Sequence, residues 1–138
     1  TVLDVGTGSG VLSIASKYLG AKDVFAYDLD EVAVRSAQEN MAMNPIAHDV
    51  TVQANDLLQG VTVPADLIVA NILADIILLM IPDAWRLLKQ EGTLIVSGII
   101  ETKKQLVIDA MIAQGFEIDQ LFNQKDWYAI AFKKPEVE

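Results

Sequence analysis

Residues 1–10 read Thr1-Val2-Leu3-Asp4-Val5-Gly6-Thr7-Gly8-Ser9-Gly10, a short apolar strand running straight into three alternating glycines. Ala26-Tyr27-Asp28 closes a second apolar stretch, with Asp28 eighteen residues beyond Gly10. A strand, a glycine turn, a helix and a second strand ending in an acid make a nucleotide-binding βαβ unit. A chain that leaves a strand and turns at once into a helix needs positive φ angles and no side chains in the way, which glycine supplies. The helix start then presents free N–H groups to whatever lies over the turn. The spacing is Gly-x-Gly-x-Gly, and Val11 stands where a dinucleotide fingerprint has its third glycine. Asp4, two residues before Gly6, is also foreign to that fingerprint. Asp28 can accept hydrogen bonds from both ribose hydroxyls, and its charge repels a 2′-phosphate. Asp56, in Asn55-Asp56-Leu57, stands where an adenine amino group could be read or where a turn would take an acid. The chain opens inside its first strand, without a methionine, and is expected to be a fragment of a longer protein.

Composition narrows the class. The 138 residues suit one domain, and 52% hydrophobic content is ample for a core. A net charge of −9 argues against general affinity for nucleic-acid phosphates. The absence of cysteine excludes disulfides and thiolate zinc sites. The longest apolar run, residues 76–81, is far short of a membrane span. A cytoplasmic domain that contacts neither membrane nor nucleic acid directly is the expectation.

Apolar runs alternate with helical patterns along the whole chain. Residues 2–5, 24–27, 49–53, 66–70 and 93–97 read as strands, the fourth apolar on both faces as a central parallel strand should be. Ser9 is placed to cap a first helix with Val11, Leu12, Ala15, Tyr18 and Leu19 on its buried face, ended by Gly20. Asp30 or Glu31 opens a second, with Ala33, Ala37 and Met41 on one face. Residues 73–89 form a long amphipathic helix that Pro82 kinks or splits, and residues 102–114 form another, closed by Gly115. Residues 116–122 and 127–132 are two strands joined by the turn 123–126, and the polar tail from Lys133 frays. The fold class is therefore α/β: a Rossmann-like, seven-stranded, mostly parallel sheet with helices on both faces and an antiparallel last strand from a C-terminal hairpin.

With these parts in order, the chain resembles the class I S-adenosylmethionine-dependent methyltransferases over essentially its full length. Residues 4–10 look like their first motif, Asp28 like their ribose acid, Asp56 like their adenine-contacting acid, and residues 116–132 like their final hairpin. Asn71-Ile72-Leu73-Ala74 narrows the resemblance to the PrmA family, which methylates amino groups of large-subunit ribosomal protein eleven. Ser97-Gly98-Ile99-Ile100 and Lys125-Asp126-Trp127 also look like that family. The two prolines and aromatic that follow this Asn in methyltransferases of DNA bases and glutamine are missing.

The resemblance implies S-adenosyl-L-methionine as cofactor, held by Asp4, Gly6, Thr7, Gly8, Gly10, Asp28, Leu29, Asn55, Asp56 and Asn71. It implies Asn71 and Ile72 as the catalytic pair, their oxygens aiming the acceptor amine, and it implies no metal. It further implies that residues 1–138 are the catalytic domain of a protein N-methyltransferase acting on lysine and N-terminal amines of that ribosomal protein, without its N-terminal substrate-recognition domain. Two alternatives stand beside it: methylation of a nucleic-acid base or small molecule, and a non-catalytic cofactor-binding module. Asp75, His48, Trp85, Lys103 and Lys104 read most simply as surface or packing residues; Trp127 and Tyr128 read most simply as hairpin packing, with lining of a substrate entrance as the second reading.

Overall fold

The computed structural model describes residues 1–136. Seven strands, β1 (Val2–Val5), β2 (Val24–Asp28), β3 (Thr51–Ala54), β4 (Ala65–Asn71), β5 (Leu88–Ile100), β6 (Glu117–Gln124) and β7 (Trp127–Lys133), form one sheet in the order β3-β2-β1-β4-β5-β7-β6. The pairings β3–β2, β2–β1, β1–β4 and β4–β5 are parallel. Strand β7 lies antiparallel to both β5 and β6. The strand order reverses direction at β1 and β4, where open α/β sheets place their ligands.

Four helices cover the sheet: α1 (Val11–Tyr18), α2 (Glu31–Met43), α3 (Ala74–Leu87) and α4 (Glu101–Gln114). The main core joins Leu3, Ile68, Leu94 and Phe132 of the sheet to Ile77, Met80, Val107 and Met111 of α3 and α4. A smaller cluster on the α1–α2 side centres on Ala37, Met41 and Ala47. Helix α2 starts as the sequence predicts: the Asp30 side chain caps it by accepting from the Val32 amide at 2.9 Å.

Helix α1 departs from expectation. Val11, Tyr18 and Leu19 are 64%, 64% and 88% exposed, whereas Ser13 is fully buried. The rotation follows from Asp4, which points from β1 into this face and takes the Ser13 hydroxyl at 2.7 Å. An otherwise costly buried carboxylate outweighs the helix's own apolar stripe. Ser9 is not the cap either. Gly10 occupies the N-cap position in the left-handed region and makes no side-chain cap. At the other end, the amides of Gly20 and Ala21 bond back to Lys17 and Ser16 carbonyls in a Schellman closure.

Other differences have local causes. Helix α3 runs unbroken through Pro82 and stops at Leu87, so Lys89 belongs to β5. Strand β3 begins at Thr51, and β5 extends on both sides of residues 93–97. Leu67 and Val69 of β4 are only half-buried, because α3 and α4 both pack on the opposite face of the sheet. The hairpin turn shortens to Lys125-Asp126, with Lys125 at φ 56°. The tail does not fray at its start: Lys134 donates to the carbonyls of Trp85 and Leu88 at 2.6 and 2.9 Å. The last two residues of that tail, 137 and 138, lie outside the described residues.

Candidate active site

The loops following β1, β2, β3 and β4 converge on one cavity of about 460 Å³. Gly6, Asp28, Leu29, Asn55, Asp56, Asn71 and Ile72 line it together, and Val5, Tyr27, Leu57, Ile76 and Leu79 complete its wall. A somewhat larger hollow of about 510 Å³ lies beside α2 and β3. It holds none of these loop residues, and its one histidine, His48, already has Nε2 3.1 Å from the Ala42 carbonyl oxygen.

The glycine turn is held by its own backbone. The Gly6 and Thr7 amides both donate to the Tyr27 carbonyl, at 2.8 and 2.9 Å, and Gly10 donates to Thr7 at 2.9 Å. Asp28 secures the turn from below: Oδ2 accepts from Gly8 N–H and Oδ1 from Asp30 N–H, each at 3.0 Å. The turn amides of Gly6, Thr7, Gly8 and Gly10 are therefore spent within the protein, and the first intrahelical bond of α1 is donated by Ile14 to the Gly10 carbonyl. Each Asp28 oxygen retains a further lone pair. The carboxylate is thus pre-oriented by two backbone bonds and still able to accept from a diol in the cavity.

Asp4, Thr7, Gly8 and Gly10 do not line the cavity. Asp4 is 1% exposed, and its Oδ2 accepts from the Thr7 hydroxyl at 2.8 Å as well as from Ser13. Gly10 packs on α2, where an added Cβ would stand 2.5 Å from Met41 Cε and 3.3 Å from Ala37 Cβ. Together they form a scaffold under the turn.

Asp4 also carries a titration. Burial pushes its carboxyl above the usual carboxylate range, the hydrogen bonds from Ser13 and Thr7 pull it back, and the Asp28 charge adds a further upward push. Its Oδ1 is buried without a partner. A folded-state pKa above the unfolded one contributes stability that is present below about pH 4 and lost as the pH rises through the folded value. Asp4→Asn keeps an acceptor for both hydroxyls and removes the charge. The difference between the variant and wild-type thermal midpoints is expected to move in the variant's favour as the pH rises from 4 to 7. Calorimetric midpoints at the two pH values check this; parallel curves for both proteins would contradict it.

Asn71 and Ile72 form the turn out of β4, and the positions around them explain two glycines. Gly6, at φ 72°, leaves room for the Ile72 side chain, whose Cγ2 would overlap a Cβ there. Gly98, at φ 77°, leaves room for Asn71, whose Oδ1 would stand 2.8 Å from a Cβ. Register brings them together, since Asn71 pairs with Ser97 across β4 and β5. Asn71 does not cap α3, whose N-cap is Leu73. Asn55 ties down the neighbouring loop, with Nδ2 donating to the Leu57 and Gln59 carbonyls at 2.9 and 3.1 Å. That loop holds Leu57 at φ 52° and leaves Asp56 exposed at the cavity.

Gly98→Ala tests the Asn71 arrangement. The positive φ and the crowded Oδ1 are expected to cost about 1–3 kcal/mol of stability and to displace the Asn71 amide. A crystal structure showing Asn71 unmoved, with an unchanged thermal midpoint, would contradict it.

Sequence reasoning missed Tyr27, Leu57, Ile76, Leu79 and Gly98. Ile76 and Leu79 carried a signal, an apolar i, i+3 pair that stays 37% and 68% exposed.

Comparison with known proteins agrees with this geometry. A ribosomal protein L11 methyltransferase of Enterococcus faecalis is 74% identical over 138 residues, all of this chain and 44% of that protein. One from Streptococcus pneumoniae is 58% identical over 134 residues, 97% of this chain and 42% of its own length. The chain thus spans less than half the length of these curated relatives. The crystal structure of a ribosomal protein L11 methylase from Lactobacillus delbrueckii subsp. bulgaricus superposes with a TM-score of 0.94 at 40% identity, covering 98% of this chain and 70% of that one. The family model for ribosomal protein L11 methyltransferase (PrmA) matches residues 1–135. The chain belongs to the ribosomal protein L11 methyltransferase (PrmA) family.

Proposed function

We propose that residues 1–138 are the catalytic domain of an S-adenosylmethionine-dependent protein N-methyltransferase whose acceptor is ribosomal protein L11, with substrate recognition carried on a further part of the protein. The observation that carries this reading is the single cavity lined by both Asp28 and the Asn71–Ile72 turn. It puts an oriented carboxylate and an amide acceptor at the ends of β2 and β4, the two parallel strands that flank β1.

The residues fit the cofactor. A cavity of about 460 Å³ lies within the usual range for ligands of this size. Asp28 offers acceptors to a ribose, Asp56 an acceptor to an adenine amine, and Leu29, Leu57 and Ile72 apolar walls to the ring system. Bound there, S-adenosylmethionine would supply an electrophilic methyl group on a sulfonium for transfer to an amine.

The protein's share is positioning and water exclusion. Asn71 Oδ1 and the adjacent backbone carbonyls accept the N–H bonds of the incoming amine and aim its lone pair. An amide accepts without trapping an ammonium, as a carboxylate would. A lysine amine must be neutral to attack, against an ordinary pKa of about 10.4. The reading implies work in the cytoplasm.

The test is transfer of isotopic methyl from S-adenosylmethionine by the full-length protein to a mixture of ribosomal protein L11 and ribosomal RNA. Label in methylated amines of the protein is expected; label in RNA alone would overturn the assignment.

A further inference from the structure

The loop between β3 and β4, residues 55–64, carries Asp56 and Leu57 to the cavity wall, yet strand pairing does not hold it there. Pairing stops at Ala54 and resumes at Ala65. A second hollow of about 390 Å³ also borders the loop, lined by its Gln59, Gly60, Val61 and Thr62 and by Phe25 and Gln53 of the strands. The loop thus adjoins two cavities, and its position depends on a few specific bonds.

Most of those bonds shape the loop without attaching it. Asn55 Nδ2 donates to the Leu57 and Gln59 carbonyls, and the Gln59 and Val61 amides donate to the Asp56 and Leu58 carbonyls at 3.1 and 3.2 Å. Leu57 stands at φ 52°, a backbone conformation that persists in a non-glycine residue only when its surroundings hold it. Attachment comes from three points. The Asn55 amide donates to the Asp28 carbonyl at 3.0 Å, Leu58 is fully buried in the core, and Arg86 Nη1 donates to the Val61 carbonyl at 2.8 Å. Among the described residues, Arg86 is the only side chain of a helix or strand that bonds to this loop. Its guanidinium is oriented by Asp83, whose Oδ1 accepts from Nη2 at 3.1 Å. A planar fork can serve the carbonyl and the carboxylate together, which a lysine ammonium does less precisely.

The helix behind this contact also walls the cavity. Ile76, Leu79, Asp83 and Arg86 follow at three- and four-residue spacing and so share one stripe of α3. Ile76 and Leu79 line the cofactor cavity, and Arg86 reaches the loop. One helix therefore sets its own wall of the cavity and anchors the wall that carries Asp56.

We propose that Arg86 is a positioning residue for base recognition: its bond to the Val61 carbonyl holds the 55–64 loop in place, and with it the preference of the cavity for a purine bearing a 6-amino group. This rests on the reading of Asp56 as the acceptor for an adenine amine. Arg86 itself lies outside the cavity lining and acts only through the loop.

The experiment is calorimetric titration of the full-length protein with S-adenosylhomocysteine and with S-inosylhomocysteine, whose ring carries a carbonyl oxygen where adenine carries its amine. The wild type is expected to prefer the adenosyl compound by about tenfold or more, the worth of one hydrogen bond to a charged acceptor. Asp56→Ala should reduce that preference to within about threefold. Arg86→Met, which keeps the stem and removes the donors, should do the same, chiefly by weakening the adenosyl compound. Arg86→Lys, with one donor group, should retain more of the preference, and so should Asp83→Asn, which leaves the guanidinium in place. A variant that is merely less stable would lose both ligands in step and keep their ratio. A wild-type ratio in Arg86→Met, with the ratio lost in Asp56→Ala, would overturn the role of Arg86 and leave the adenine reading standing. A wild-type ratio in Asp56→Ala would overturn the adenine reading, and the role of Arg86 in base choice with it.

Discussion

Asn71→Ala in the full-length protein is expected to lower the maximal methyl-transfer rate about a hundredfold, close to 2.7 kcal/mol of transition-state stabilisation. The side chain sits at the end of β4 on the cavity wall, exposed, and spaced from β5 by the missing Cβ of Gly98. Alanine removes the acceptor that aims the amine and leaves the β4–β5 pairing through Ser97 in place. Folding should therefore survive, with a thermal midpoint within a few degrees of wild type. S-adenosylhomocysteine affinity should fall by no more than about fivefold, the worth of one modest hydrogen bond. Rate measurements at saturating cofactor, paired with calorimetric affinity, separate the two effects. A rate within threefold of wild type would remove Asn71 from the chemistry.

Asp28→Ala should produce the opposite pattern. Its two oxygens hold the Gly8 and Asp30 amides at 3.0 Å and keep lone pairs for a ribose diol. Alanine deletes both prospective ligand bonds and frees the glycine turn that they brace. Two hydrogen bonds to a charged acceptor, at about 1.5 kcal/mol each, correspond to a loss of roughly a hundredfold in S-adenosylhomocysteine affinity. The methyl-transfer rate at saturating cofactor should fall far less, because Asp28 does not touch the acceptor nitrogen. Calorimetric titration checks this, and an affinity within threefold of wild type would contradict the ribose assignment. Asp28→Asn, which keeps one oxygen acceptor, should fall between the two.

Much of this was legible in the sequence because it is local. The βαβ unit, the order of strands and helices, the Asp30 cap and the closing hairpin all follow from spacing and turn residues, and the structure has each of them. The loops carrying Asp28, Asn55, Asp56 and Asn71 meet as the parallel topology requires. The α1 face was not legible, because its orientation answers to a buried acid on another element. For the same reason the first motif divides unexpectedly: Gly6 lines the cavity, while Asp4, Thr7 and Gly10 brace it from beneath. Gly98 entered the sequence reading only within Ser97-Gly98-Ile99-Ile100, and its place against Asn71 is reached only through strand register. Lys103 and Lys104 read as solvated charges, and they lie at the surface 3.3 Å from Asp75 and 3.9 Å from Glu101.

The most direct test of the central claim is calorimetric titration of the full-length protein with S-adenosylhomocysteine, with NAD as the control. One site per chain for S-adenosylhomocysteine, with no heat from NAD, is the predicted result. Binding of NAD in its place, or of neither compound, would contradict the assignment of the cavity among Gly6, Asp28 and Asn71.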